Sequence, residues 1–260
     1  MNTSTIHQLG DELYNSLRYR RVVAPPSTRH VGMSVEDAYQ VQQRVISRRL
    51  QDGERIIGKK IGITSPGVRE MLGIVQPNFG HLLDTMVVIE GESIDISTLI
   101  QPRAEGEIAF VLKRELSGPG VDNADVLAAT ECVMPCMEIV DSRIRDWKIS
   151  IEDSIADNAS CGVFVLGHRA LDPRRIDLST CGMVFEMNGD LVTTSAGAAT
   201  LGSPFNAVAW LANTLGRFGQ GLAAGDIVLS GALAAMVPAQ AGDSFRVSIG
   251  GLGGCSVRFH

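Results

Sequence analysis

The pattern of apolar and polar positions predicts helices in the first part of the chain and strands in the rest. Leucines recur at four-residue spacing within residues 3–21, which predicts a first amphipathic helix. Ser34 and Asp37 have the spacing of a capping box and predict the start of a second helix. Beyond these helices, short apolar runs separated by turn-forming residues predict strands. We therefore expect a helical N-terminal attachment over residues 1–54 and a β-rich core, one structural unit, over residues 55–260.

Acidic residues interrupt two of the predicted strands. Glu105 and Glu107 stand two apart at the start of an apolar run, so they point to the same face of a strand. Neighbouring carboxylates repel each other and are costly to desolvate, so either they lie in water at the strand edge or a hard divalent cation neutralises them. Glu138 lies inside a second apolar run, where it is either a salt-bridge partner of Arg143 or Arg145 or a third ligand. Three carboxylates on adjacent strands would hold a hard divalent cation, magnesium, manganese or calcium, and leave positions for a chelating substrate.

The first predicted strand of the core carries two consecutive lysines on opposite faces. Lys60 stands between Gly58 and Gly62, where the missing side chains leave room for a ligand. Lys59 interrupts a face of isoleucines and could reach solvent. The alternative is that both are surface lysines on an edge strand. If one of them is functional, the glycine spacing favours Lys60.

Four further segments have recognisable local chemistry. Residues 65–72 begin with Ser-Pro and predict a short helix through Met71 and Leu72. Residues 76–80, Gln-Pro-Asn-Phe-Gly, predict a loop at the rim of a pocket. Residues 156–162 predict either an Asx-type turn or a polar wall of the site. Asn-Gly at 188–189 predicts a hairpin with a type I′ turn.

Composition narrows the class of protein. Apolar residues make up 45 % of the 260 and charged residues 20 %, as in an ordinary soluble enzyme. The net charge of −6 without a basic cluster argues against nucleic acid as a partner. No apolar run is long enough for a bilayer and no signal peptide is recognisable, so we expect a cytoplasmic protein without a membrane partner. The five scattered cysteines are expected to be reduced thiols.

Other common active-site motifs find little support. The glycine-rich turn at 250–254 joins two strands and no helix follows it, so a nucleotide loop is not expected. A GxSxG elbow is absent, and the five histidines are scattered without ligand spacing. Serine-triad and histidine–zinc chemistry are therefore disfavoured.

Six motifs, in the same order over nearly the whole chain, resemble the 2-oxopent-4-enoate (vinylpyruvate) hydratases of the fumarylacetoacetase-like superfamily. The motifs are Gly58–Ser65, Gln76–Gly80, Pro102–Ala109, Glu138–Trp147, Ala156–Gly162 and Leu229–Leu233. The resemblance implies an α+β fold: a fumarylacetoacetase C-terminal-like mixed β-sandwich roll with N-terminal helices. It implies Mg²⁺ or Mn²⁺ at three metal ligands, a catalytic pair, and polar groups that bind the substrate. The metal ligands are Glu105, Glu107 and Glu138, the catalytic residues Lys60 and Ser160, and the substrate-binding residues Gln76, Asn158 and Ser230.

The resemblance also distinguishes between related activities. A sister family, the 2-oxo-3-hexenedioate (4-oxalocrotonate) decarboxylases, shares the metal acids and Lys60. It has an apolar residue in place of Lys59 and lacks the loop at 76–80 and the Arg-Asp-Trp sequence, so hydratase is favoured. The chain departs from the hydratases at Asn78, where they usually carry an aspartate. A neutral amide cannot act as a general base, so a proton-transfer role at that position is not expected here.

The implied reaction adds water to 2-hydroxypenta-2,4-dienoate and gives 4-hydroxy-2-oxopentanoate, in meta-cleavage catabolism of aromatic compounds. Lys60, near a cation and partly buried, is expected to have a lowered pKa that suits proton transfer. Two alternatives remain: the decarboxylase activity, and a non-catalytic partner subunit of that decarboxylase. The implied partners are the dienoate, further copies of the chain in a homo-oligomer, and the pathway decarboxylase, with the N-terminal helices serving assembly.

Overall fold

A computed structural model describes residues 1–65 and 76–260, and the predicted helix through Met71 and Leu72 lies outside these ranges. Among the described residues, no helix has both the length and the apolar character needed to cross a bilayer. The helices are α1 (Thr3–Tyr19), α2 (Pro26–Arg29), α3 (Val35–Gln51), α4 (Asn123–Ala129), α5 (Ile151–Ala156) and α6 (Pro204–Arg217).

The N-terminal helices form for the local reasons that the sequence indicated. Ser34 and Asp37 make the expected capping box at the start of α3, with each side chain accepting from the other residue's backbone N–H. Helix α3 is then held against the core by polar and aromatic contacts. Gln42 donates hydrogen bonds to the carbonyls of Phe79 and Ile155 at 2.8 and 3.0 Å. The helical segment is thus fixed to strand β2 and helix α5.

The strands form two mixed sheets. They are β1 (Ile56–Gly62), β2 (Asn78–Leu83), β3 (Val87–Val88), β4 (Ser93–Ile94), β5 (Pro102–Leu112), β6 (Thr130–Asp141), β7 (Cys161–Leu166), β8 (Gly182–Met187), β9 (Asp190–Ala196), β10 (Ile227–Leu229), β11 (Val237–Pro238), β12 (Ser244–Ile249) and β13 (Gly253–Phe259). The larger sheet has the order β2-β1-β10-β5-β6-β7-β3 with β11 beside β5, and the smaller has β4-β13-β12-β8-β9. This confirms the predicted α+β roll.

One segment differs from the sequence prediction. The residues Asn78–Gly80, predicted as part of a loop, begin strand β2 and pair with β1. Gly80 serves close approach and not a turn, because a Cβ at this position would lie 2.4 Å from the carbonyl oxygen of Asn158. A glycine is therefore present at this position of the strand because the neighbouring segment leaves no room for a side chain.

A single large apolar cluster joins the helices to both sheets. It contains Leu9 and Val41 from the N-terminal helices, Ile108 from β5 and Val247 from β12. A smaller cluster, with Phe164 among its members, lies on the other face of the larger sheet. This smaller cluster adjoins the acidic side chains of β5 and β6, since it includes residues paired with them in the strand register.

Candidate active site

The three predicted acids converge on one face of the larger sheet. Glu105 on β5 is the direct cross-strand partner of Glu138 on β6, and Glu107 occupies the next position on the same face. One oxygen from each carboxylate lies within 4.8 Å of those of the other two. Glu107 and Glu138 are 0 % and 1 % exposed, and Glu105 is half-buried. The alternative of acids in water at a strand edge therefore does not hold for the two inner ones.

Glu138 pairs with a lysine and not with either arginine considered from the sequence. Nζ of Lys60 lies 3.1 Å from Oε1 of Glu138. Arg143 instead pairs with Asp157, and Arg145 is exposed. The interpretation of Glu138 as an arginine-paired strand-edge glutamate is thus wrong for the described part of the chain.

Crowding and burial perturb the acids. Burial, reinforced by the charge of Glu138 and opposed by Lys60 and Arg103, raises the pKa of Glu105 to about 7. Burial and the two neighbouring carboxylates raise the pKa of Glu107 well above its ordinary value. A buried cluster that resists ionisation in this way is poised to gain from a bound cation.

The carboxylates also perturb the pKa of the lysine. Burial alone would lower the pKa of Lys60, but the carboxylates, Glu138 foremost, outweigh it and hold the pKa above its ordinary value. The expected lowering was for a lysine beside a bound cation and stays a prediction, whereas without a cation the pKa of Lys60 is raised. The sequence alone does not show whether the attraction of the three nearby carboxylates or the cost of burial determines the pKa of Lys60.

The residues present fit a divalent cation. Three carboxylates and one ammonium leave two negative charges to be compensated. Oε1 of Glu107 and both oxygens of Glu138 have no hydrogen-bond partner within residues 1–65 and 76–260, apart from the ion pair with Lys60. Oxygen-only ligands of this kind suit magnesium or manganese. Buried acceptor oxygens without donors are otherwise costly, so they point to a ligand for this cluster.

The two lysines separate as the alternation predicts. Lys60 lies opposite Gly80 in the pairing of β1 with β2 and is 3 % exposed. Lys59 points to the other face, beside His81, and its Nζ lies 3.4 Å from the carbonyl oxygen of Gly221. Burial lowers the pKa of Lys59. The lysine between glycines is thus the one beside the acids, and neither is the surface lysine of the alternative reading.

The polar segment before β7 packs against strand β2. Asn158, Ala159 and Ser160 are three successive residues in the left-handed region, with φ of 53°, 51° and 54°. The amide of Asn158 pairs with both backbone groups of His81, at 2.8 and 3.0 Å. Ser160 is buried and its hydroxyl lies 3.4 Å from Oδ2 of Asp157. Strained non-glycine backbone is typical of functional sites, which fits a wall more than a simple turn.

The other residues predicted to bind the substrate differ in their burial and in their position relative to the acids. Ser230 is fully buried, and the N–H of the following Gly231 donates to Oε2 of Glu107 at 2.9 Å. Gln76 is exposed and adjoins the part of the chain that is not described. Asn78 is buried, and its Nδ2 donates to Oγ of Ser154 at 2.9 Å. The structure thus brings Ser230 to the acid cluster and leaves Gln76 at the surface.

Sequence reasoning missed two groups that accompany the site. Arg103 stands two residues before Glu105 on β5, and its guanidinium lies over the ring of Trp147. The same period-two argument that paired the glutamates would have found Arg103. Arg143 and Asp157 form a buried ion pair at 2.6 Å beneath the left-handed turn. No local signal in the sequence could have paired these two residues.

Comparisons with known proteins agree with this geometry. The family model of the fumarylacetoacetate (FAA) hydrolase C-terminal matches residues 73–260. A 2-hydroxypent-2,4-dienoate hydratase of Pseudomonas putida is 63 % identical over 220 residues, which cover 84 % of this chain and 99 % of that protein. A 2-hydroxyhexa-2,4-dienoate hydratase of Comamonas testosteroni is 53 % identical, over 98 % of this chain and 97 % of its own length.

A solved structure shares the whole fold. The 4-oxalocrotonate decarboxylase from Pseudomonas putida G7, complexed with magnesium and adipate, superposes with a TM-score of 0.97 at 36 % identity, covering 100 % of this chain and 99 % of that one. Relatives named as hydratases thus match more closely in sequence than this decarboxylase does. The chain therefore belongs to the fumarylacetoacetate hydrolase family, within the group of its hydratases, which are hydro-lyases.

Proposed function

We propose that the protein is a divalent-metal-dependent hydratase that adds water to 2-hydroxypenta-2,4-dienoate and gives 4-hydroxy-2-oxopentanoate. The convergence of three mostly buried carboxylates beside Lys60 carries the proposal. The 63 % identity to a hydratase named for the same dienoate supports the substrate. We infer that this chain acts in the meta-cleavage catabolism of aromatic compounds, as its resemblance to the hydratases implies.

Glu105, Glu107 and Glu138 would hold the cation, Mg²⁺ or Mn²⁺. When bound, it supplies Lewis acidity to the carboxylate and the neighbouring oxygen of a chelating substrate. The carboxylate oxygens without hydrogen-bond partners are the groups available to it. Gly231 fixes the remaining oxygen of Glu107 through its backbone N–H, which orients that ligand.

Lys60 is the proton carrier in the proposal. Its ammonium lies beside the cluster, buried from bulk water, so it can give a proton to the fifth carbon of the dienol. The amine that remains takes the proton that the hydroxyl on the second carbon loses as it becomes a ketone, which restores the ammonium. The fourth carbon then becomes electrophilic, and water adds there. Ser160 is proposed to orient that water or the substrate carboxylate. Asn78 donates a hydrogen bond to Ser154, and its neutral amide neither gains nor loses a proton near neutral pH.

Three polar residues are proposed to bind the substrate. Ser230 is fully buried and immediately precedes Gly231, whose N–H donates to Glu107, and we propose that its hydroxyl binds the substrate. Asn158 holds the left-handed turn in place through its two hydrogen bonds to the backbone of His81. The remaining hydrogen-bonding capacity of its amide is proposed to serve the substrate. Gln76 belongs to the rim by its exposure and its position before β2.

Decarboxylation is the second candidate, because the decarboxylase fold superposes over the full chain. The same acids and lysine could support loss of carbon dioxide from a six-carbon 2-oxo dicarboxylate. Incubating each substrate and measuring carbon dioxide release against hydration separates the two activities. The fold does not favour either activity, and the higher identity to the hydratases favours hydration.

The test is a steady-state hydration assay of the metal-stripped protein with and without added Mn²⁺, on wild type and on Glu107→Gln. We expect activity only with metal, and loss of about 100-fold or more in Glu107→Gln because a ligand charge is removed. Glu131→Gln is the matched control, since Glu131 lies on β6 but its side chain is 63 % exposed. Full activity of the stripped wild type, or of Glu107→Gln, would refute metal-dependent hydration.

We further propose that the chain forms a homo-oligomer and associates with the pathway decarboxylase, where it could also act as a non-catalytic subunit. Sedimentation of the protein alone and mixed with the decarboxylase measures both associations. Turnover by the isolated protein excludes the non-catalytic role.

A further inference from the structure

The acid cluster opens toward one end of β5. Along a single strand face, Glu107 is 0 % exposed, whereas Glu105 and then Arg103 are half-buried. In the opposite direction the same face continues with Ala109, which is fully buried in the smaller apolar cluster. A molecule approaching the acids along this face therefore meets Arg103 first.

The guanidinium of Arg103 is not committed to other protein groups. Within the described ranges it has neither a hydrogen bond nor an ion pair, and its central carbon lies 4.6 Å from the centroid of the Trp147 ring. It lies two residues from Glu105 along β5, so both side chains are on the same face of the strand. A half-buried guanidinium with all its donors available is suited to a planar anion.

The ring beneath Arg103 is held in place by its own supports. Nε1 of Trp147 donates to the carbonyl of Gln101 at 3.0 Å, and the side-chain oxygen of Gln101 accepts from the N–H of Asp146 at 2.9 Å. Asp146 and Trp147 both adopt left-handed backbone, with φ of 59° and 56°. Such conformations cost about 1–3 kcal/mol each and persist where a specific geometry is needed. The aromatic platform thus fixes the plane of the guanidinium.

We propose that Arg103, stacked on Trp147, binds the carboxylate of the 2-hydroxydienoate substrate at the mouth of the acid cluster and selects for anionic 2-oxo or 2-hydroxy acids. The proposal rests on the function proposed above and adds the residue that recognises the acid group. With the divalent cation bound, the formal charges of the three carboxylates, Lys60 and the cation sum to zero, so Arg103 supplies the additional positive charge that attracts an anion on the approach face. Arg103 acts in binding and holds no proton for the reaction.

The test compares Arg103→Met with the control Arg145→Met, which removes an exposed arginine from the same loop as Trp147. In Arg103→Met we expect KM to rise about 10- to 100-fold, as for loss of a charge-assisted hydrogen bond, with kcat within about threefold and Mn²⁺ affinity unchanged. Arg103→Lys should recover only part of the loss, since an ammonium lacks the planar fork. Trp147→Leu should raise KM by a smaller factor.

Three outcomes overturn the assignment. They are an unchanged KM in Arg103→Met, an equal rise in Arg145→Met, and a loss of Mn²⁺ affinity in Arg103→Met that accounts for the whole effect. The last outcome would mean that Arg103 only supports Glu105.

A binding measurement separates this proposal from the proposed function. The chain has two tryptophans, so Trp210→Phe leaves Trp147 as the only fluorophore of its kind. In that background we expect 2-oxopentanoate, and not the neutral 2-pentanone, to change the fluorescence, and Arg103→Met to abolish the change. If this holds while no dienoate is hydrated, the carboxylate site stands and the hydratase function fails. If hydration holds and Arg103→Met binds 2-oxopentanoate as wild type does, the carboxylate site fails alone.

Discussion

At the scale of single residues, Lys59 and Lys60 form a natural matched pair. They are neighbours on β1, both buried, and they point to opposite faces of the sheet. Replacing Lys60 with Met should lower kcat by about 100- to 10,000-fold, because the group that transfers the proton is lost. Mn²⁺ affinity should be retained or improved, since a positive charge leaves the cluster.

Lys59→Met removes an equal charge from the same strand and should keep the wild-type rate. The measurement is kcat at saturating Mn²⁺, with metal affinity determined by calorimetry. A wild-type rate in Lys60→Met would remove this residue from the mechanism.

Glu105 makes the metal affinity depend on pH. Its pKa in the metal-free protein is raised to about 7, chiefly by burial, and a protonated carboxyl does not bind a cation. Below pH 7 the cation must displace the proton of Glu105, and also that of Glu107 where the raised pKa keeps this carboxyl protonated, so affinity should fall about tenfold or more for each unit of pH decrease. Titration of Mn²⁺ by calorimetry at pH 5.5, 6.5 and 7.5 checks this. A pH-independent affinity would mean that Glu105 is ionised throughout or is not a ligand.

The positions of the site residues divide by the range of the interactions that set them. Period two along β5 was sufficient to place Glu105 and Glu107 together, and glycines flanking position 60 were sufficient to favour Lys60. The ion pair of Lys60 with Glu138 depends on the order of strands in the sheet, since β1 and β6 are separated by β10 and β5. A single sequence holds no local signal for that order. The resemblance of motifs supplied it instead.

At the scale of elements, the left-handed turn before β7 depends on a buried ion pair. Arg143 donates to Oδ1 of Asp157 at 2.6 Å and to the carbonyls of Asp141, Asp157 and Cys161, and so joins the end of β6 to the start of β7. Removing one charge of such a pair leaves the other buried without compensation, at a cost of about 3–5 kcal/mol. Asp157→Asn should therefore lower the free energy of unfolding by about that amount.

Urea unfolding measures the change, and Asp172→Asn is the control because the Asp172 side chain is 46 % exposed in a surface pair with Arg174. A loss below about 1 kcal/mol in Asp157→Asn would show that the hydrogen bonds to carbonyls suffice for Arg143.

An element whose conformation is set by its own residues was predicted correctly from the sequence. An element whose conformation depends on contacts with distant residues was not. The hairpin of β8 and β9 was predicted from Asn188 and Gly189, and both have the positive φ of a type I′ turn, 56° and 88°. The start of strand β2, Asn78–Gly80, was predicted as part of a loop because asparagine and glycine favour turns. In the fold, Gly80 is small so that the turn at Asn158 can approach, and this pressure comes from residues far away in sequence.

At the scale of the whole molecule, the N-terminal helices share the core of the sheets. Leu9 and Val41 belong to the same apolar cluster as Ile108 and Val247, and Gln42 is bonded to strand β2. The proposed division between residues 1–54 and 55–260 thus separates two segments of sequence that bury their apolar surface against each other. Association of the helices with a partner would use their other faces.

A shared core predicts cooperative unfolding. Both tryptophans lie in residues 55–260, so their fluorescence reports on that segment, whereas far-UV circular dichroism at 222 nm includes the long helices α1 and α3. In urea the two signals should give the same midpoint, because neither segment can keep its apolar face buried when the other unfolds. Added Mn²⁺ should move both midpoints upward together, since a ligand of the folded state stabilises the whole cooperative unit. If the helical signal were lost at lower urea than the fluorescence, or only the fluorescence midpoint responded to Mn²⁺, the N-terminal segment would be an independent attachment that contributes nothing to the stability of the site.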